Sequence, residues 1–144
     1  MSWREEVEQA VPAQQHVLHS AALTLAPEPA NVRQARRFVC SVLSCPEGDC
    51  LDVLELLTSE LVTNAVIHAR TRLEVVVVLT EDLVVVLVHD EDLGRTELRT
   101  HDRDGGRGLE LVGALASCSG LTYHPHGGKT AWFALDRAGV GAAG

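Results

Sequence analysis

Apolar residues recur along the chain at two kinds of spacing, one typical of helices and one typical of buried strands. Helical spacing predicts one helix over about residues 30–44 and a longer one over about residues 50–69. Runs of aliphatic residues predict strands at 19–25, 73–80 and 83–90, the last two joined by a turn short enough for a hairpin. These two Val-rich strands are too apolar to leave a face in water, so we expect helices to cover at least one side of them.

The second half of the chain begins with a polar stretch and continues with shorter apolar periods. Residues 91–107 are charged and lack an apolar period, which predicts a long loop of a kind that is usually functional or disordered. Helical spacing returns over 108–118, and two last strands are predicted at about 120–124 and 129–135. Hairpins mixed with long helices predict an α+β fold. We expect a two-layer α/β sandwich whose mixed, largely antiparallel sheet is covered by helices on one face.

Length and charge limit the domain count and the class of partner. At 144 residues the chain predicts one domain over 16–137, with a mobile leader at 1–15 and a frayed tail at 138–144. The formal net charge of −8 argues against a nucleic-acid partner, which would need a basic face. Any phosphate site must therefore depend on backbone amides, a metal ion and a few local cations.

The apolar segments also bear on the compartment. The N-terminal residues lack a long apolar run, and no stretch approaches about 18 uncharged apolar residues. We therefore expect a cytoplasmic protein with no membrane partner, whose four cysteines are thiols. Cys40, Cys45 and Cys50 are evenly spaced, but zinc sites favour closer pairs and a fourth ligand is not evident, so the role of these cysteines stays open.

Glu60 and Asn64 are the first candidates for chemistry, because they lie four residues apart on one face of the long predicted helix. A carboxylate and a carboxamide among aliphatic residues cost free energy unless something satisfies them. An Asn oxygen suits Mg²⁺, and a Glu one turn away can order water or take a proton from a hydroxyl. The alternative, from periodicity alone, is a solvent-facing polar pair.

One acid and two glycine segments complete the candidates. Asp90 ends an aliphatic strand, where it can accept a hydrogen bond from an amino group such as that of adenine; otherwise it is a turn residue or a loop cap. Residues 105–109, Gly-Gly-Arg-Gly-Leu, run into a predicted helix whose free amides attract anions, unless they form only a flexible loop end. Residues 127–130, Gly-Gly-Lys-Thr, are no Walker A loop, because the first glycine is missing and a strand follows. A hairpin turn is the simpler interpretation.

The order of these pieces resembles that of the Bergerat-type ATPases, the GHKL superfamily that includes histidine kinases and gyrase. Four segments carry the resemblance: ELVTNAVIHA at 60–69 looks like the N box, and VHDEDLG at 88–94, GGRGLELV at 105–112 and GGKTAWFAL at 127–135 look like the glycine boxes. The short, free-standing form resembles the actinobacterial anti-sigma factor serine kinases, whose first helix region PEPANVRQARRFV at 27–39 matches. The resemblance covers about residues 19–136.

The resemblance implies a role for each candidate residue. Asn64 would ligate the Mg²⁺ that bridges the ATP phosphates, Glu60 would act as the base or as a water-orienting carboxylate, and Asp90 would bind the adenine amino group. The remaining cofactor-binding positions are Gly94 in the first glycine box, Gly106, Arg107, Gly108 and Leu109 around the phosphates, and Thr130, which would add a hydroxyl near a water on the adenine side.

One position departs from the family pattern. Asp92 stands where the motif Asp-x-Gly-x-Gly has its first glycine, although Gly94 is present. Asp92 adds a carboxylate to a loop that is already acidic, and an acidic loop repels phosphate unless its arginines offset the charge. We therefore expect the fold to be kept and the nucleotide affinity to be the property most affected.

Two functions from different classes follow from the resemblance. The first is a regulatory serine/threonine protein kinase that acts as an anti-sigma factor, phosphorylating a small antagonist protein and also sequestering a sigma factor. The second is a non-catalytic, ATP-dependent binding switch that sequesters a partner protein. The sequence does not fix the oligomeric state, although family members commonly dimerise through the sheet and a homodimer is one state that the resemblance allows. The ATPase portion of a two-component histidine kinase is disfavoured, because no dimerisation helix with an acceptor histidine precedes the domain.

Overall fold

Five strands and two helices build the part of the chain that the computed structural model describes, namely residues 11, 15–43, 52–68, 71–91, 112–125 and 127–137. The strands are β1 (Val17–Leu25), β2 (Leu73–Thr80), β3 (Leu83–Asp90), β4 (Cys118–Tyr123) and β5 (Lys129–Asp136), and the helices are α1 (Asn31–Val42) and α2 (Asp52–His68). Residues 112–115 form a further short helical segment. The predicted α+β sandwich is confirmed.

The sheet has the strand order β1-β2-β3-β5-β4, so the two hairpins meet where β5 pairs with β3. The sequence predicts a mixed, largely antiparallel sheet, and each of the four pairings observed is antiparallel. Strands β1 and β4 form the two edges. The long connection between β3 and β4 therefore leaves from one end of a central strand and returns to an edge.

The predicted bounds are confirmed closely for β2 and β3, and they are wrong at the end of the third predicted helix. That helix was expected to continue through Cys118, but Cys118 is the first residue of β4 and pairs with Ala134. The amide of Ser117 already donates to the carbonyl of Ala134 at 2.9 Å. The backbone at 117–118 is therefore engaged in the sheet ladder, and the local helical spacing is overruled by strand pairing.

The main core lies between the helices and one face of the sheet. Helical periodicity predicts an apolar stripe on α2 that begins at Leu51, which lies outside the described residues. The other members of the stripe, Leu54, Leu57, Leu61 and Ala65, are all buried. These side chains belong to one cluster with alternate residues of the strands, including fully buried Phe133 of β5. Among the described helices, none combines the length and the apolar character that a membrane crossing needs.

The opposite face of the sheet has a second, smaller core. Val76, Val78, Val85 and Leu87 are fully buried there, and Val11 from the N-terminal residues packs into the same cluster. Gln15 is also attached to the sheet, because its side-chain oxygen accepts a hydrogen bond from the Thr80 hydroxyl at 2.6 Å and its amide donates to Asp82 at 2.9 Å. The division of the chain into leader, domain and tail stays a prediction.

Candidate functional site

The candidate site is built on a row of residues that crosses the sheet near one end. Cross-strand pairing puts Leu73, Asp90, Lys129 and Tyr123 side by side on β2, β3, β5 and β4. Directly paired residues of an antiparallel sheet project to the same face, and Leu73 belongs to the helix-side core. The row therefore faces the helix layer, and it places one acid, one cation and one aromatic ring in sequence toward the β4 edge.

Helix α2 lies on the same side of the sheet as this row. It packs against β3 and β5, the strands that carry Asp90 and Lys129. Only four residues separate the end of α2 at His68 from the start of β2 at Leu73, the direct partner of Asp90. Because so short a connection spans at most roughly 18 Å, the C-terminal half of α2 and the acid–cation pair belong to one end of the molecule.

Asp90 and Lys129 form an ion pair inside this row. The Lys129 ammonium donates to the Asp90 carboxylate at 2.8 Å, and the two side chains are 17% and 2% exposed. A carboxylate buried to this extent costs much free energy unless it is paired and hydrogen-bonded. Lys129 therefore offsets the cost of placing a charged acid at the end of an aliphatic strand. The sequence predicts the carboxylate at this strand end, but it does not predict the cation that pairs with it.

Gly128 holds the β4–β5 turn close against Asp90. Its φ of +92° lies in the region that side-chain-bearing residues rarely adopt, and a Cβ there would stand 2.4 Å from the Asp90 main-chain oxygen. The turn is closed by a hydrogen bond from the His124 amide to the Gly128 carbonyl at 3.0 Å. The Gly-Gly-Lys-Thr segment is thus a hairpin turn, and its glycine sets the distance between β5 and the end of β3.

Asn64 is the most informative polar residue of α2. Its side-chain oxygen is buried, and among the described residues it has no hydrogen-bond partner. A buried acceptor left unsatisfied costs about 1–3 kcal/mol. An amide oxygen of this kind fits a hydrated Mg²⁺, which takes oxygen ligands and is usually held by one or two protein groups plus waters and phosphates.

Glu60 lies one helical turn before Asn64 and is partly exposed. The apolar stripe of α2 lies beside the two residues, so they stand at its border and not in the middle of the core. This position suits a carboxylate that has to meet an external group, because it is neither fully desolvated nor free in bulk water. The predicted placement of Glu60 and Asn64 on neighbouring turns of one helix is confirmed.

Thr130 is not brought together with Asp90. Its partner in the ladder is His89, so its side chain projects from the opposite face of the sheet. There the fully buried hydroxyl lies 2.9 Å from a ring nitrogen of His89 and 2.9 Å from a ring nitrogen of His124. A hydroxyl has one proton and two lone pairs, so it donates to at most one of the two imidazoles. The predicted role of the Thr130 hydroxyl on the adenine side stays a prediction. Lys129, and not Thr130, lies on the face of the sheet that carries Asp90.

The remaining predicted positions lie outside the described residues. They are Gly94, Gly106, Arg107, Gly108 and Leu109, together with Asp92. The two ends of this stretch are described. Glu91 follows Asp90 at the end of β3, and Val112 is buried in the helix-side core.

Lys129 and Tyr123 are site residues that the sequence does not assign. Lys129 is the only lysine of the chain, and Tyr123 is its direct partner on β4, 48% exposed beside it. They are identified by two pairings in the sheet: the register of the β4–β5 hairpin puts Tyr123 beside Lys129, and the pairing of β5 with β3 puts Lys129 beside Asp90. A half-exposed ring, a donor and an acceptor in one row form a surface suited to a planar, polar ligand such as a purine base.

Comparison with known families agrees with this geometry. Residues 25–132, more than half of the chain, match the family model described as the histidine kinase-like ATPase domain. The matched range includes α1, α2, the central strands and the start of β5, and so contains Asn64, Asp90 and Lys129. A comparison with curated proteins finds no match.

Proposed function

The chain belongs to the histidine kinase-like ATPase domain family, and on that premise we propose that it is a serine/threonine protein kinase acting as an anti-sigma factor. It uses ATP with Mg²⁺ to phosphorylate a small antagonist protein, and it binds a sigma factor when the antagonist is absent. Membership of this family supports ATP-dependent kinase or ATPase chemistry in general, but it does not specify the acceptor. The serine/threonine acceptor, the metal ion and the protein partners are what the proposal adds.

The Asn64 amide oxygen carries the proposal. It is buried without a hydrogen-bond partner among the described residues, on the helix that packs over the strands of Asp90 and Lys129. Native proteins satisfy buried acceptors, so an unsatisfied one points to a missing ligand. Bound Mg²⁺ would neutralise phosphate charge. Asn64 would be the residue that holds this ion.

Glu60 is the residue placed to handle the proton of the acceptor. It stands one turn from Asn64 and is partly exposed, which leaves its carboxylate open to a hydroxyl that arrives from outside. When the hydroxyl oxygen bonds to the γ-phosphorus, the bond from that phosphorus to the ADP oxygen breaks and the hydroxyl proton passes to the Glu60 carboxylate. Such transfer depends mainly on positioning and charge stabilisation.

Asp90 supplies the base-binding acceptor. Its carboxylate is fixed by Lys129 at 2.8 Å and by the close approach of Gly128 to its main chain. An acceptor with so little freedom loses little conformational entropy when a ligand binds. The adenine amino group donates to this carboxylate, and Tyr123 borders the same surface on the β4 side.

Protein partners fit the charge of the chain better than nucleic acid does. With a net charge of −8 the protein repels a phosphate backbone, so regulation of transcription acts through protein contacts and not through DNA. We place this regulation in the cytoplasm. A homodimer formed through the sheet has the edge strands β1 and β4 available to it.

The Asp90–Lys129 ion pair favours a second function, the non-catalytic switch. The base-binding carboxylate already has a cation at 2.8 Å, and a nucleotide that displaced Lys129 from Asp90 would rearrange the hydrogen bonds of this pair. A rearrangement of that kind can change a partner surface without any phosphoryl transfer. Asp92 in place of a glycine favours the same alternative, since it weakens the interaction with phosphate.

Label transfer separates the kinase from the switch. The purified chain is mixed with Mg-[γ-³²P]ATP and the antagonist encoded beside its gene, and phosphoprotein is measured with time. The kinase proposal expects label on a serine or threonine of the antagonist. It also expects a loss of at least about 100-fold in rate for Glu60→Gln, the size usual for a general base.

Glu81→Gln is the matched control, because Glu81 is exposed in the β2–β3 turn and changes the charge equally. It should transfer label at the wild-type rate. If ATP binds but no label reaches the antagonist, the kinase proposal is wrong and the binding switch replaces it. If Glu60→Gln transfers label as fast as Glu81→Gln, the role given to Glu60 is wrong.

A further inference from the structure

We propose that Lys129 determines base specificity at this site, with its ammonium donating a hydrogen bond to ring nitrogen N1 of adenine. The inference rests on the proposed nucleotide binding and extends it to a residue to which the resemblance assigns no role. Asp90 accepts from the adenine amino group, and Lys129 addresses the acceptor next to that group. The two residues thus recognise both atoms of one edge of the base.

The geometry of the pair supports this assignment. Asp90 and Lys129 are direct cross-strand partners on the helix side of the sheet, and their charged atoms are 2.8 Å apart. An acceptor and a donor this close match the amino group and the N1 acceptor on the Watson–Crick edge of adenine, much as a carboxamide matches the amino group and N7 on the other edge. The ammonium has three N–H groups, and its bond to Asp90 uses one of them.

The depth of the two residues gives the pair a direction. The Asp90 side chain is 2% exposed and Lys129 is 17% exposed, so the acceptor lies deeper than the donor. Adenine matches this arrangement when its amino donor lies at the deeper Asp90 and its N1 acceptor lies at the shallower Lys129. Guanine and hypoxanthine carry a carbonyl and an N–H at the same positions, which would set an oxygen against the carboxylate and a hydrogen against the ammonium. The pair therefore selects adenine.

A purely structural role for Lys129 makes different predictions. If the ammonium only neutralises the buried carboxylate, its removal weakens folding but changes the affinity for every purine nucleotide by the same factor. If it competes with the base for Asp90, its removal tightens ATP binding. Only a direct contact to N1 makes the effect of Lys129 depend on whether the base carries N1.

Titration calorimetry measures the affinities of the wild-type chain for ATP, 1-deaza-ATP and ITP, which tests the contact to N1. The same titrations on Lys129→Met show whether the contact depends on the ammonium. 1-deaza-ATP keeps the amino group and lacks the N1 acceptor. We expect wild type to bind ATP about tenfold more tightly than 1-deaza-ATP, as one charge-assisted hydrogen bond implies. We expect Lys129→Met to bind both nucleotides equally, at about the affinity of wild type for 1-deaza-ATP. ITP should bind the wild type most weakly.

Arg33→Met is the matched control, since Arg33 is exposed on α1 and its replacement removes the same charge. It should keep the tenfold preference. Equal binding of ATP and 1-deaza-ATP by wild type would overturn the inference even if Lys129→Met did not fold, and tighter ATP binding by that variant would overturn it as well. Wild type that binds no nucleotide at all would overturn the proposed function itself, which is a different result from binding without base preference.

Discussion

Gly128→Ala is the substitution that bears most directly on how the site is built. The glycine lies in the turn before β5 with φ at +92°, and its main chain approaches the end of β3. An added Cβ would stand 2.4 Å from the Asp90 carbonyl oxygen and 2.9 Å from the Glu91 Cα. Both neighbours are backbone atoms, so no flexible side chain can move aside to make room.

The expected cost follows from two terms. A side-chain-bearing residue held at such a φ costs about 1–3 kcal/mol. The overlap with backbone forces a local shift, for which overpacking of similar size costs about 1–3 kcal/mol. We therefore expect Gly128→Ala to lower the free energy of unfolding by about 2–5 kcal/mol, against a total of about 5–15 kcal/mol for a domain. Because the shift moves Asp90, nucleotide affinity should fall as well.

Urea denaturation followed by circular dichroism measures this change, with Gly113→Ala as the matched control. Gly113 is exposed in the helical segment 112–115, and a Cβ there would meet no atom within 4 Å. Alanine at that position should raise the free energy of unfolding by about 0.5–1 kcal/mol, because glycine is the poorer helix former. If Gly128→Ala were as stable as wild type, the close approach of the turn to Asp90 would be refuted.

Two further predictions concern neighbouring contacts. Lys129→Met should lower the free energy of unfolding by about 3–5 kcal/mol, because it removes the cation from the buried Asp90 carboxylate, and adding Asp90→Asn should recover much of the loss. Additive effects of the two changes in urea denaturation would contradict the ion pair. Gly120→Ala should displace the Trp132 indole, whose Nε1 would stand 2.5 Å from the new Cβ. In a Trp3→Phe background this should shift the fluorescence emission, and an unchanged spectrum would argue against the contact.

Much of the fold follows from local sequence. The bounds of β2 and β3 were predictable because uninterrupted valines meet a Thr-Glu-Asp turn, which leaves few alternatives for the chain. The stripe of α2 was predictable because Leu54, Leu57 and Leu61 repeat at helical spacing, and the structure buries all three. In both cases the apolar pattern extends over enough residues to outweigh the conformational preference of any single residue.

The details of the site depend on pairing between distant segments, which local pattern does not contain. Lys129 meets Asp90 only because β5 pairs with β3 in one particular register, across 39 residues of chain. The register also decides which side chains share a face of the sheet, since a shift of one residue moves every side chain of the strand to the opposite face. Family resemblance directs attention to the hydroxyl of Thr130, but the register turns that hydroxyl toward two histidines and leaves Lys129 beside the acid.

Titration of the chain with Mg-ATP, in wild type and in Asn64→Ala, tests whether the buried Asn64 oxygen on α2 holds a hydrated Mg²⁺ whose nucleotide lies on the Asp90 side of the sheet. Thr63→Ala is the control, since Thr63 is the exposed neighbour of Asn64 on the same helix. We predict that wild type and Thr63→Ala bind Mg-ATP and bind it more weakly when EDTA removes the metal, and that Asn64→Ala loses this Mg²⁺-dependent part. Absence of binding by wild type, or equal Mg²⁺-dependent binding by Asn64→Ala and Thr63→Ala, would contradict the account.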